Sequence, residues 1–118
     1  MANELSIGLT LSYSKGGRTL QVSESFQRTV SGNAYVKATQ SISTSAGQTL
    51  DLGPVGTVGF VLLKNTDDTN YVDFGYADSP YVTRLLPGES CLLPWSGAAI
   101  YAKAHTAACI VEYTLIEA

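Results

Sequence analysis

The stretch of sequence that decides the fold lies between residues 58 and 95. It reads VGFVLLKN (58–65), TDDTN (66–70), YVDFGY (71–76) and, after a second loop, LLPGESCLLPW (85–95). Each apolar run is short, rich in Val, Leu, Tyr or Phe, and bounded by Gly, Pro, Asn or Asp. This pattern is typical of β-strands separated by turns. The Pro87-Gly88 pair carries the signature of a type II turn, with Pro and Gly at its two central positions.

Two details of this stretch indicate how its strands are placed. Residues 58–64 are apolar on both faces, which predicts a strand that is covered on both sides, either centrally in a sheet or against a partner. Asn65 and Asn70 are expected to bracket a turn between antiparallel strands, since Asx-rich segments favour turns. Neither detail requires a helix, and helical periodicity is absent from the chain.

The N-terminal part of the chain predicts a long hairpin over residues 4–30. Apolar and polar residues alternate on both sides of Lys15-Gly16-Gly17, a turn signal because glycine tolerates positive φ. Glu24 interrupts the apolar stripe, which indicates that this part of the hairpin lies beyond the core. The stripe consists of Leu5, Ile7, Leu9, Leu11 and Tyr13 before the turn and Leu20, Val22 and Phe26 after it.

The remaining segments complete an all-β chain. The weaker stripe from Val36 to Ile42 suits an edge strand, and Leu50 and Leu52 begin a short strand that Gly53-Pro54 ends. Turn signals every 8–12 residues are typical of a sandwich, a jelly roll or a closed barrel. We predict one antiparallel, jelly-roll-like β-sandwich domain over residues 1–118, with 9–10 strands and with residues 1–30 as a projecting hairpin or arm. Further strands are expected at 81–86, 89–95, 98–104 and 107–116.

Composition excludes several classes of function. Charged residues make up 14% of the chain, against about 25% in typical globular domains, and such a low-charge surface suits protein contacts. The net charge is −3 and basic residues are scattered, so we expect no nucleic-acid partner. No apolar run approaches the roughly 20 residues of a membrane helix, and the N-terminus lacks the features of a signal peptide. We therefore expect that the protein is synthesised in the cytoplasm and that it does not associate with a membrane.

The reactive side chains of the sequence form no recognisable catalytic or metal-binding pattern, so we predict no enzyme, no metal and no cofactor. The single histidine, His105, lies at a turn and has no recognisable catalytic partner in the sequence. The turn from Asp67 to Asn70 offers oxygen ligands for Ca²⁺, but Asx-rich turns also form without metal. Cys91 and Cys109 fall in apolar runs that favour buried thiols; a disulfide requires their strands to be neighbours. Tyr71, Tyr76, Tyr81 and Trp95 lie near turns, where they fit either sheet packing or an interface.

Five short motifs are distributed along the chain: GFVLLKN (59–65), TNYVDFG (69–75), LLPGESCL (85–92), IYAKA (100–104) and LTLS (9–12) before the Gly-Gly turn. In these motifs the chain resembles small virion structural proteins of tailed bacteriophages. The likeness is most specific over residues 53–104 and extends over most of the chain. The resemblance implies a particle as the setting, and it supplies no catalytic residue.

The resemblance leads to the expectation of a non-enzymatic virion protein, namely a capsid decoration or cement protein. It is expected to self-associate and to dock on another virion protein, such as the major capsid or a tail protein. The alternative is a tail, collar or baseplate component that touches the host surface or a glycan, and a hydrolase on a β scaffold is a third class. Interface residues are predicted at Leu5, Ile7, Leu9, Phe26, Tyr76, Tyr81 and Trp95.

Overall fold

A computed structural model describes residues 4–97 and 99–118, and these residues form ten strands and no helix. The all-β class and the expected number of strands are thereby confirmed. In chain order the strands are β1 (Leu5–Lys15), β2 (Arg18–Arg28), β3 (Tyr35–Ile42), β4 (Gln48–Thr49), β5 (Val58–Asn65), β6 (Val72–Gly75), β7 (Thr83–Leu85), β8 (Ser90–Gly97), β9 (Tyr101–Ala104) and β10 (Cys109–Glu117).

The chain divides into two compact units, with the division between Ser31 and Gly32. The first unit contains the β1–β2 hairpin, whose strands pair in one continuous antiparallel register. Gly16 and Gly17 connect the strands with φ values of 63° and 78°. A type I′ turn requires positive φ at both central residues, so the two glycines fix the register of the hairpin. The predicted N-terminal hairpin is confirmed.

The second unit consists of two four-stranded antiparallel sheets, with strand orders β3-β10-β5-β8 and β4-β9-β6-β7. The pairs β3·β10, β4·β9, β5·β8 and β6·β7 are those of one long eight-stranded hairpin folded over on itself. This strand order is that of a jelly roll, in which the folded hairpin makes a two-sheet sandwich. The jelly-roll-like sandwich is therefore confirmed, with β3 at a sheet edge as expected.

The core of the sandwich is built by period-two alternation on strands of both sheets. Along β10 the side chains of Val111, Tyr113 and Leu115 are buried, whereas Ile110 and Glu112 between and before them are exposed. β5 lies centrally in its sheet, between β10 and β8, as expected, but the prediction that it is covered on both sides is wrong at Leu62, which is 45% exposed. The core cluster also contains Val61, Leu63, Val72, Phe74, Ala102 and Ala104.

The fourth strand departs from the prediction. A strand beginning at Leu50 and Leu52 is wrong, because β4 covers only Gln48–Thr49. The chain turns immediately afterwards: the Asp51 carboxylate accepts the N–H of Gly53 at 2.9 Å, and Gly53 adopts a φ of 54°. Leu50 is nevertheless in the core cluster and Leu52 packs against it. Their apolar character therefore reports burial and not strand geometry.

Two turns of the second half connect the sheets instead of connecting paired neighbours. The turn after Asn65 joins β5 to β6, and the turn at Pro87-Gly88 joins β7 to β8; each pair of strands is divided between the two sheets. Asn65 and Asn70 bracket a turn as expected, and the strands that this turn joins lie in different sheets. The type II geometry itself is present, since Gly88 has a φ of 80° and the Glu89 N–H donates to the Leu86 carbonyl at 3.0 Å.

Asn65 is the buried polar residue at this junction, with a relative exposure of 0%. Its Nδ2 donates to the carbonyl oxygens of Asn70 at 2.9 Å and Leu85 at 3.1 Å, and its Oδ1 accepts the N–H of Asp67 at 3.0 Å. Three segments of chain are thus held together by one amide. Because buried polar groups cost free energy unless they are paired, this position requires an asparagine-like donor and acceptor set.

Glu117 holds the end of β10 against two other segments of the sandwich unit. Its Oε1 accepts the N–H groups of Asn33 and Ala34 at 3.1 and 3.2 Å, and its Oε2 accepts the Gly56 N–H at 2.8 Å. These hydrogen bonds, that from Gly56 above all, hold the pKa of the carboxyl below its ordinary value. Glu117 therefore fixes the start of β3 and the loop before β5 while it is ionised.

Candidate functional site

The β1–β2 hairpin has one apolar face and one polar face. Residues directly opposite in an antiparallel pair lie on the same side of the sheet. Four consecutive rows on one side are Ile7↔Phe26, Leu9↔Glu24, Leu11↔Val22 and Tyr13↔Leu20, and we call the surface of these eight residues the apolar face. The other side carries only Gly, Ser, Thr and Gln, namely Ser6, Gly8, Thr10, Ser12 and Ser14 opposite Gln27, Ser25, Ser23, Gln21 and Thr19.

Most of the apolar face is exposed. Leu11 keeps 61% of its accessible surface and Leu20 keeps 52%, and Leu9, Tyr13, Val22 and Phe26 are exposed as well. A two-stranded hairpin is marginally stable in water unless a further layer covers its apolar side. Contiguous exposed apolar surface of this kind is typical of interaction sites.

Charged residues lie at defined positions around the apolar face. Lys15 and Arg18 oppose each other in the row next to the turn, and Glu24 opposes Leu9 within the face itself. Among the residues that the structure describes, neither Arg18 nor Glu24 takes part in an ion pair. A carboxylate that is covered by apolar side chains requires a compensating charge, so any partner of this face has to supply one.

Four of the predicted interface residues lie on one side of the hairpin. Ile7, Leu9 and Phe26 belong to the apolar face, and Leu5 lies in the next row, opposite Arg28. Ile7 is buried, with 6% exposure, whereas Leu9 and Phe26 are exposed. The prediction omitted four further exposed members of the same face, namely Leu11, Tyr13, Leu20 and Val22. The alternation that located the strands also identifies these four residues.

The other three predicted interface residues do not form one exposed aromatic patch. Trp95 is buried, with 4% exposure, and its Nε1 donates to the Ala99 carbonyl at 3.1 Å. Tyr76 is exposed and stacks on Trp95 with a centroid distance of 4.2 Å. Tyr81 is half-buried and donates its hydroxyl to Asp78 at 2.9 Å. Desolvation and this hydrogen bond raise the pKa of Tyr81 to about 12.

A stacked group of side chains on the β4-β9-β6-β7 sheet was not predicted from the sequence. The His105 and Tyr71 rings stack at 4.4 Å, and the guanidinium of Arg84 lies 3.8 Å from the centroid of Tyr71. Arg84 also donates two hydrogen bonds to Asp73, at 2.8 and 3.2 Å, which raise the pKa of the guanidinium. These contacts depend on cross-strand register. Both faces of the Tyr71 ring and the charges of Arg84 and Asp73 therefore have partners within this group.

The acidic turn after β5 uses its oxygen atoms internally. Asp67 Oδ2 accepts the N–H groups of Asn70 and Thr69 at 2.6 and 2.9 Å, and these hydrogen bonds, that from Asn70 above all, lower the pKa of Asp67. Asp68 Oδ1 accepts the Thr69 hydroxyl at 2.9 Å. Within residues 4–97 and 99–118, no group of three or more His, Cys, Asp or Glu side chains is placed to hold a metal ion.

The two cysteines are separate thiols. Cys91 is on β8 and Cys109 is on β10, and β5 lies between these strands in the sheet. Cys109 is buried and Cys91 is half-buried, and desolvation raises the pKa of both thiols. A raised pKa lowers the fraction of each thiol that is ionised at a given pH, and the thiolate is the reactive form.

Comparison of the chain with protein-family models, with curated proteins and with solved structures finds no match. The resemblance to phage virion proteins therefore stays a prediction from the sequence motifs. In the described part of the chain there is also no helix of the length and apolarity that a membrane span requires.

Proposed function

We propose that this chain is a non-enzymatic structural protein of a bacteriophage particle, and specifically a capsid decoration protein that self-associates. The observation that carries the proposal is the exposed apolar face of the β1–β2 hairpin, backed by a uniformly polar side. The jelly-roll strand order, the low fraction of charged residues and the phage-type motifs of residues 53–104 are in keeping with such a role. In this proposal the hairpin contacts a neighbouring subunit, and the low-charge outer faces of the sandwich dock on the shell.

The energetics favour assembly in a multivalent setting. Each of the six exposed side chains of the apolar face retains roughly half of its surface, and covering it contributes about 1 kcal/mol. Six such side chains supply several kcal/mol, which is similar in size to the roughly 4–15 kcal/mol that association costs in lost freedom of motion. A single contact is therefore weak, whereas many contacts within one particle add up.

The alternative is a tail, collar or baseplate component. The exposed ring of Tyr76, stacked on Trp95, is the feature that suits contact with a host surface or a glycan. The two roles differ in stoichiometry, because a shell offers many equivalent positions and a tail offers few. Copy number per particle therefore separates them.

The proposal is tested on purified particles of a phage that encodes this chain. Quantitative mass spectrometry against the major capsid protein is expected to give hundreds of copies per particle. A dozen copies or fewer would favour the tail role, and absence of the chain from gradient-purified particles would refute both.

Two matched double variants test whether the apolar face of the hairpin is needed for incorporation into particles. Leu11→Thr combined with Val22→Thr makes one row of the apolar face polar and keeps a strand-forming residue at both positions. Ser12→Thr combined with Gln21→Thr changes the adjacent row on the polar side. We expect the first pair to lower the copy number and the second pair to leave it unchanged; equal incorporation of both would exclude the hairpin as the contact.

A further inference from the structure

We propose that the apolar face of the β1–β2 hairpin is covered by the same face of a second copy of the chain. The two copies are related by a two-fold axis that passes between the row Leu11↔Val22 and the row Tyr13↔Leu20. This inference rests on the proposed self-association and names its partner. It follows from the register of the hairpin and from the positions of its charged residues.

The register makes the face complementary to itself in one antiparallel arrangement. A two-fold axis that lies between the stacked hairpins and perpendicular to their strands places β1 against β1 and β2 against β2. Leu11 then faces Tyr13 of the other copy, and Val22 faces Leu20. In the same arrangement Glu24 faces Arg18, twice by symmetry. The arrangement uses the four rows from Leu9↔Glu24 to Lys15↔Arg18, and the row Ile7↔Phe26 of the apolar face lies opposite the turn of the other copy.

The position of Glu24 selects this partner over others. If an apolar partner covers the face, Glu24 lies against apolar side chains. In a parallel arrangement of two hairpins Glu24 faces Leu9 of the other copy, because Leu9 is its opposite residue in the row. A carboxylate covered in that way costs several kcal/mol unless it is paired. The antiparallel pair supplies an arginine at that point and leaves the central rows wholly apolar.

The interface is small. Four rows at a spacing of two residues extend over roughly 20–27 Å of strand, and two strands are about 10 Å wide. The area covered is therefore below the roughly 1,200 Å² total that a standard stable interface buries. We expect a weak dimer in solution, which sedimentation measurements over a wide concentration range detect.

Charge reversal with rescue tests the pairing in the isolated full-length protein. Glu24→Arg alone and Arg18→Glu alone each place like charges opposite one another, so dimerisation is expected to weaken about tenfold or more. The double variant Glu24→Arg/Arg18→Glu restores opposite charges and is expected to recover most of the affinity. Arg18 and Glu24 are on one strand about 20 Å apart, so a rescue cannot arise within one copy.

Lys15 provides the matched control, because it lies in the same row as Arg18 but faces Leu9 in the proposed arrangement. Glu24→Arg combined with Lys15→Glu is expected to recover less affinity than the combination with Arg18→Glu. Equal rescue by both, no rescue by either, or a wild-type protein that stays monomeric up to millimolar concentration would overturn the two-fold contact. None of these results bears on whether the chain is present in particles, so the proposed function is judged separately by its copy number.

Discussion

The substitution Asn65→Asp tests the junction between the two sheets by changing one donor group without changing its shape. The wild-type amide donates to two carbonyl oxygens, those of Asn70 and Leu85, and accepts from Asp67 in a site with 0% exposure. A carboxylate in its place cannot donate and directs negative charge at both carbonyl oxygens. The introduced group therefore takes up a proton in the folded protein, because the desolvated charge costs more than protonation.

The magnitude of the loss depends on pH. Holding a carboxyl neutral near pH 7, when its unfolded pKa is about 3.9, costs about 4 kcal/mol at 1.36 kcal/mol for each pH unit. The single O–H of the protonated acid donates to only one of the two carbonyl oxygens. The other carbonyl oxygen loses its hydrogen bond, which costs about 1–3 kcal/mol of stability. We expect Asn65→Asp to lower the free energy of unfolding by about 5–7 kcal/mol near pH 7 and by only about 1–3 kcal/mol near pH 4.

The sign of the pH dependence follows from the raised pKa of the introduced carboxyl in the folded state. The unfolded chain loses the proton as pH rises through about 3.9, whereas the folded protein keeps it, so the variant becomes less stable relative to wild type as pH increases. Urea unfolding is followed by the fluorescence of Trp95, the only tryptophan, at several pH values for both proteins. Asn65→Ala removes the same three hydrogen bonds without a titrating group and serves as the pH-independent control. A loss for Asn65→Asp that is the same near pH 4 and near pH 7 would refute the reasoning.

Three further predictions concern single positions. Gly88→Ala is expected to destabilise the sandwich by about 1–2 kcal/mol because the φ of Gly88 is 80°. Gly8→Ala, in open space on the hairpin, is the control and is expected to change the free energy of unfolding little. Equal effects of the two substitutions in thermal unfolding would contradict the turn assignment. Asp78→Asn is expected to lower the pKa of Tyr81 from about 12 towards 10, measured by the absorbance of tyrosinate, and an unchanged titration would exclude their hydrogen bond. Glu117→Gln removes a carboxyl whose pKa is lowered in the folded state, so wild type loses stability as pH falls below the ordinary glutamate pKa of about 4.3 and the variant loses less. Parallel acid-unfolding curves would contradict this role.

Local sequence signals were sufficient for the parts of the fold that local geometry controls. Gly16 and Gly17 carry the turn geometry that sets the hairpin register, and Pro87-Gly88 forms the predicted type II turn. The period-two stripe placed β3 at a sheet edge and identified the residues of the apolar face. These features depend on residues that are close together in the chain, where backbone preference and alternation decide the outcome.

The parts that were missed depend on contacts between distant segments. The pairing of β3 with β10 joins Ile42 to Cys109, and no local pattern specifies it. Leu50 and Leu52 pointed to a strand, but an Asx turn at Asp51 takes the chain out of the sheet while burial of the leucines is kept. Trp95 lies near a turn in the sequence, yet tertiary packing encloses it, so proximity to a turn did not indicate exposure.

Amide hydrogen exchange measured at low and at high protein concentration tests the central claim most directly, namely that another subunit covers the apolar face of the hairpin. In dilute protein, the amides of β1 and β2 are expected to exchange faster than those of β5 and β10, which lie inside a four-stranded sheet. At concentrations at which copies associate, protection is expected to rise in β1 and β2 and to stay unchanged in β5 and β10. A hairpin as protected in the dilute monomer as β10, or protection that does not respond to concentration, would contradict the account.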